Sequence, residues 1–187
     1  MISGAFAEFG RSSRVMPPFH FDNLAQVRLG RSVRINPDCW ILTVRRPGDD
    51  GSVKLDIGSN SGIGMGATIS AAKSVVLGDH VLLARNVYIS DHGHAYADIS
   101  RSVMDQGISS PAPVRIGRRS WLGQNVVVLP GVTIGEHCII GANSVVNSSI
   151  PDFSLAVGAP ARVVKKYNQH SCLWEKHVSD VIGAPVS

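Results

Sequence analysis

Between residues 88 and 100 the chain reads YISDHGHAYADIS, which sets two imidazoles one residue apart, His92 and His94, among Asp91, Tyr96 and Asp98. An imidazole takes up and returns a proton near neutral pH, so either histidine is suited to remove the proton of an attacking hydroxyl. The His-x-His spacing, with His80 and His137 elsewhere in the chain, also offers three nitrogens to a tetrahedral zinc ion. Asp91 and Asp98 have two readings each: a carboxylate that orients an imidazole or an acceptor, or a turn-forming Asp in a loop. Tyr96 offers a ring and a hydroxyl to a sugar-like acceptor. A third possibility is that none of these groups is reactive and the chain is a noncatalytic assembly scaffold.

The segment interrupts a regular pattern. From Ile116 the chain falls into blocks of six, IGRRSW, LGQNVV, VLPGVT, IGEHCI, IGANSV and VNSSIP, each opened by an aliphatic residue. The pattern returns upstream in groups of three blocks: Phe9, Val15, Phe21; Leu29, Ile35, Ile41; Ile57, Ile63, Ile69; and Leu77, Leu83, Ile89. A six-residue period fits neither a helix nor a simple strand. It fits a chain that runs extended, turns by about a third of a circle and repeats, so that three blocks close one triangular coil. The first residue of each block then points inward. The fifth, Ser120, Val126, Val132, Cys138, Ser144 and Ile150, packs near the corner, and the sixth, such as Trp121, faces out. Gly or Asn at the second position is expected to relieve the bend. The prediction is an all-β solenoid stabilised by stacking of neighbouring coils.

Three stretches break register and are predicted to bulge from the corners: two extra residues between Ile69 and Leu77, the polar run Arg45 to Lys54, and everything from His92 to Arg115. The prism is assigned residues 1–162, with the long loop at about 91–114, and the tail residues 163–187. In the tail, Trp174, Val178, Val181 and Ile182 have the spacing of one helical face, which predicts a short C-terminal helix ended by Gly183 and Pro185.

Composition supports the repeat. Of 187 residues 17% are charged and 6% aromatic, with 19 Gly and 10 Pro, which means many tight turns and few long exposed helices. The formal charge of +4 comes from scattered Arg and Lys without interleaved aromatics, which does not point to nucleic acid and leaves an anionic small molecule open. Three cysteines, Cys39, Cys138 and Cys172, have no paired spacing and suit a reducing compartment. No basic and apolar leader and no run of eighteen apolar residues is present, so a cytoplasmic location without a transmembrane segment is expected.

The stretch IGRRSWLGQNVVVLPGVTIGEHCIIGANSVVNSSIPDFSLAVGAPARVV resembles the C-terminal half of hexapeptide-repeat acetyltransferases of the maltose, galactoside and polysaccharide O-acetyltransferase group. The resemblance implies a left-handed parallel β-helix, an exception to the usual crossover hand. It implies a homotrimer with active sites between subunits and acetyl-CoA as acyl donor. By position it places the catalytic imidazole at His94, with His92 second. It places coenzyme contacts at Gln124, Ala142, Asn147 and Arg162, with Lys165 and Lys166 near phosphate charge, and Trp121 on the coenzyme or acceptor groove or at a subunit interface. Asp91, Tyr96 and Asp98 are left for the acceptor, for which a sugar hydroxyl of a surface polysaccharide, glycolipid or nucleotide-linked precursor is expected, small amines staying open. No cysteine lies near the loop in sequence, which favours direct attack over an acyl-enzyme. The zinc reading corresponds to a carbonic anhydrase-like hydratase on the same repeat; its histidine spacing matches less well, and no metal is expected.

Overall fold

The computed structural model describes residues 2–177. The short strands form three sheets, each collecting every third strand in order. Sheet I holds Glu8–Phe9, Val27–Leu29, Leu55–Ile57, Val75–Leu77, Val114–Ile116 and Thr133–Ile134. Sheet II holds Arg14–Val15, Arg34–Ile35, Gly62–Ile63, Leu82–Leu83, Trp121–Leu122, Ile139–Ile140 and Ser154–Gly158, followed by Ala161–Asn168 and Leu173–Lys176. Sheet III holds Phe19–Asp22, Cys39–Thr43, Thr68–Ala71, Tyr88–Ser90, Val127–Val128 and Val145–Val146. Up to Ser154–Gly158 the pairing is parallel, so each coil repeats the one before it.

Register turns the six-residue period into columns. Leu29, Ile57, Leu77, Ile116 and Ile134 stack in sheet I. Ile35, Ile63, Leu83, Leu122 and Ile140 stack in sheet II. Ile41, Ile69, Ile89, Val128 and Val146 stack in sheet III. All of these side chains are buried, as are the corner residues Ser120, Val126, Val132, Cys138, Ser144 and Ile150. The interior is therefore one continuous aliphatic rod, which gives the corners a stiff support.

One detail of the turns differs from expectation. The left-handed backbone falls on the fourth position of the block, at Arg119, Asn125, His137 and Asn143, with φ between 52° and 59°. Asparagines there bond from coil to coil: Asn86 donates to Asn125 at 3.2 Å and Asn125 to Asn143 at 2.9 Å. The second-position glycine serves close approach instead. A Cβ on Gly117 would lie 2.4 Å from the carbonyl carbon of Gly135 in the next coil.

The three outer faces differ. Sheet I is polar, with Arg28 paired to Asp56. Sheet II exposes Leu82 and Trp121, and sheet III exposes Trp40 and Tyr88.

The predicted C-terminal helix is not what forms over the described part of the tail. Ala161–Asn168 folds back antiparallel on Ser154–Gly158, and Leu173–Lys176 pairs antiparallel with it in turn. Trp174 sits in that last strand, its ring edge-on to Tyr167 at 5.5 Å. Strand pairing satisfies the backbone at the end of sheet II, and the β-branched and aromatic residues Val163, Val164 and Tyr167 suit a strand. Val178, Val181 and Ile182 lie outside the described residues.

Candidate active site

The long loop leaves the prism where sheet III passes to sheet I, between Tyr88–Ser90 and Val114–Ile116. Asp91, its first residue, is completely buried. One carboxylate oxygen accepts the backbone N–H of Ala72 at 2.8 Å; the other accepts those of Lys73 and Ser74, both at 2.7 Å. Those three amides lie in the stretch of the preceding coil that carries the two-residue insertion, where the chain turns the same corner. Asp91 Oδ1 also lies 2.8 Å from Nδ1 of His92. With no surface left, this carboxylate offers nothing to an acceptor; of the two roles foreseen for it, the geometry gives orientation of an imidazole.

His92 is nearly buried, its side chain 10% exposed. An ionised carboxylate only accepts hydrogen bonds, so Nδ1 donates to Asp91 and Nε2 is left facing the hydroxyl of Ser70 at 3.4 Å. The hydroxyl of Ser90 donates to the carbonyl of His92 at 2.7 Å.

Beyond His92 the loop forms a narrow two-stranded ribbon. Gly93 N–H donates to the Ser109 hydroxyl at 3.0 Å, Ser109 N–H returns to the Gly93 carbonyl at 2.8 Å, and Ala95 N–H donates to Gly107 at 3.0 Å. Ala112 N–H closes the base on the Asp91 carbonyl at 2.8 Å. His94 bridges Ile108 in the middle of this ribbon, is exposed, and has no hydrogen-bond partner for its ring among the described residues. A free imidazole on a braced support can exchange a proton with a ligand that reaches it.

The tip is also braced. Ser102 caps the short 3₁₀ turn Val103–Asp105, and the Gln106 amide spans from Asp98 to Arg101. The carboxylate of Asp98 accepts from the Ser100 hydroxyl at 2.6 Å and its N–H at 3.0 Å, which hold it below the usual carboxylate range. Asp98 is thus a turn former, although an exposed one. Tyr96, at 77% exposure, is free to meet a ligand.

The expected coenzyme residues do not form one cluster. Trp121 faces out of sheet II, and Gln124 and Ala142 are exposed one coil apart at the edge between sheets II and III, where Asn143 N–H donates to the Gln124 carbonyl at 2.8 Å. Arg162 and Lys165 lie exposed on Ala161–Asn168, beyond the last coil. Asn147 follows Val145–Val146 and so occupies the opposite edge of sheet III, the corner from which the loop springs two coils earlier. His80 and His137 stand at the edge between sheets I and II, away from the loop root, and no group of three His, Cys, Asp or Glu side chains able to hold a metal occurs among the described residues. Sequence reasoning missed Ser70, Ser90 and the Ala72–Ser74 amides. The available signal was spacing: Asp91 lies about one coil after the two-residue insertion.

Residues 113–148 match the bacterial transferase hexapeptide family (six repeats), and residues 54–91 match the hexapeptide repeat of succinyl-transferase. The galactoside O-acetyltransferase of Escherichia coli (strain K12) is 31% identical over 90% of this chain and 68% of its own length. The putative lipopolysaccharide biosynthesis O-acetyl transferase WbbJ of the same organism is 42% identical over 58% of each chain. A probable acetyltransferase of Mycobacterium tuberculosis is 42% identical over 76% of this chain and 45% of its own length. The chain thus spans about half the length of these last two relatives. Among solved structures, a variant of the N-acyltransferase AntD from Bacillus cereus, in complex with dTDP and coenzyme A, superposes with a TM-score of 0.75 at 18% identity, covering 91% of this chain and 89% of that one. The chain belongs to the hexapeptide-repeat acetyltransferase family.

Proposed function

We propose that this protein is an O-acetyltransferase that moves an acetyl group from acetyl-CoA to a hydroxyl of a sugar, in a surface polysaccharide or its nucleotide-linked precursor, with His94 as general base. The observation that carries the reading is the exposed, unpartnered ring of His94 on a ribbon rooted in a rigid prism. The galactoside and lipopolysaccharide relatives support a sugar acceptor by their names. The chemistry of the outer surface suits the coenzyme. Gln124 and Ala142, exposed one coil apart, can line a pantetheine arm, the Trp121 face can cover it, and Arg162 and Lys165 can meet its phosphates.

When bound, the coenzyme supplies an activated thioester. His94 holds the acceptor hydroxyl, takes its proton as the oxygen attacks, and returns that proton to the leaving sulfur. Tyr96 borders the space an acceptor ring would enter. We further propose a left-handed winding, a homotrimer whose subunits meet through the apolar faces of sheets II and III, and a cytoplasmic location. In such an assembly the histidine of one subunit would face coenzyme groups of the next.

Incubation with acetyl-CoA and a panel of sugars and nucleotide sugars, following free thiol, tests the reading. Acceptor-dependent thiol release that disappears in His94→Ala supports it. Release that is unaffected by the substitution, or activity that depends on stoichiometric zinc, overturns it.

A further inference from the structure

The buried pair at the loop root has no part in the proton transfer just described. Five residues nevertheless hold it: Ala72, Lys73 and Ser74 through Asp91, and Ser70 and Ser90 beside His92. The order Ser70, His92, Asp91 copies the connectivity of a hydrolytic triad, with Nε2 toward a hydroxyl and Nδ1 toward a carboxylate. Ser70 is only 7% exposed, however, and His92 only 10%. An acyl group would have to enter the prism wall to reach that hydroxyl, so the trio is not a nucleophilic centre.

What the trio does reach is the backbone that carries His94. The His92 ring is held through Nδ1 by a carboxylate that is itself anchored to Ala72, Lys73 and Ser74 of the previous coil. The His92 carbonyl is held by Ser90. Gly93, the next residue, opens the ribbon. His94 therefore stands two residues beyond a point tied to two successive coils of the prism. We infer that His92 is a positioning residue, whose Nδ1–H bond to Asp91 sets the height and direction of the ribbon so that the His94 ring meets the acceptor hydroxyl. The inference rests on the reading of His94 as the base. Displacing a reacting group by about 1 Å costs on the order of 100-fold in rate, and the His92 ring, only 10% exposed, has little surface to offer a ligand.

The test compares His92→Ala, which loses the donor, with His92→Asn, whose side-chain amide can place an N–H where Nδ1 stands. Expected is a kcat lower by about 10- to 100-fold in His92→Ala, with KM for acetyl-CoA within about twofold, and recovery of most of that loss in His92→Asn. If both variants are equally dead, the Nδ1–H bond is not what His92 contributes and the inference fails. If His92→Ala keeps full turnover, or loses only affinity for acetyl-CoA, it fails as well. A measurement on the unaltered protein covers the case in which the variants do not fold. Long-range ¹H–¹⁵N correlation should find a proton on Nδ1 of His92, and a proton on Nε2 alone would overturn the proposed bond. None of these outcomes decides the base itself, because loss of activity in His94→Ala is a separate observation.

Discussion

Asp91→Ala removes a carboxylate that accepts three backbone N–H groups and one imidazole N–H, and its cost follows from which donors water can reach afterwards. The amide of Ala72 is buried at 1% residue exposure, so it is left without a partner. An orphaned buried donor costs about 1–3 kcal/mol. The amides of Lys73 and Ser74 lie nearer the surface and find water, so only the net value of two charge-assisted bonds is lost, about 1.5 kcal/mol each at the least. With the imidazole bond left out, the sum is at least about 4 kcal/mol. For a chain of this size each kcal/mol lowers the melting temperature by about 2–4 °C, so a drop of about 12 °C is expected. Calorimetry at one fixed chain concentration measures it, because assembly would otherwise shift the transition. Asp98→Ala is the control: the same residue type in the same loop, but exposed and with its carboxylate bonded only to Ser100, so its melting temperature should fall far less than that of Asp91→Ala. A melting temperature for Asp91→Ala within about 2 °C of the unaltered protein would refute the clamp.

Gly117→Ala should cost about 3 kcal/mol by calorimetry, because its Cβ meets backbone atoms of Gly135 and Glu136 at 2.4 to 2.6 Å and neither can yield without parting two coils. Of the three thiols, a colorimetric thiol reagent should modify Cys172 quickly in the native protein; Cys39 and Cys138 should resist until denaturant is added, since burial pushes both thiols up from their ordinary range. Asp49, held below the usual carboxylate range first by its bond from Lys54, should stabilise the 44–54 loop at neutral pH. A depressed carboxylate contributes above its unfolded pKa and loses that contribution as the pH falls through its folded one. The melting-temperature gap between the unaltered protein and Asp49→Asn should therefore close in acid.

The prism was legible because its period repeats a local decision. Leu77, Leu83 and Ile89 each face inward for the same reason, and their columns follow once three blocks close a coil. Over its described part the tail was misread because Trp174 was read into a helical spacing, whereas the nearest unsatisfied backbone is the edge of sheet II, which recruits Ala161–Asn168 and Leu173–Lys176 as strands. His92 and His94 stood out by type and the resemblance ranked His94 first, but the structural difference between them did not show. That difference depends on Ser70 and on the turn after it, 17 to 22 positions earlier in the chain. A turn-forming Asp and a buried clamp look alike until the preceding coil is laid against them. The coenzyme residues were chosen by motif position, and motif position does not reveal that Asn147 turns a different corner from Gln124 and Ala142.

The central claim is that the His94 ring removes the acceptor proton while other groups hold the coenzyme. Turnover and acetyl-CoA binding measured side by side in His94→Ala address it most directly. The expected result is a kcat lower by at least about 100-fold, with the thermal stabilisation by acetyl-CoA unchanged, which at a hundredfold excess over Kd amounts to about 2.7 kcal/mol. Full turnover in that variant would contradict the account, and so would loss of acetyl-CoA binding with the chemical step intact.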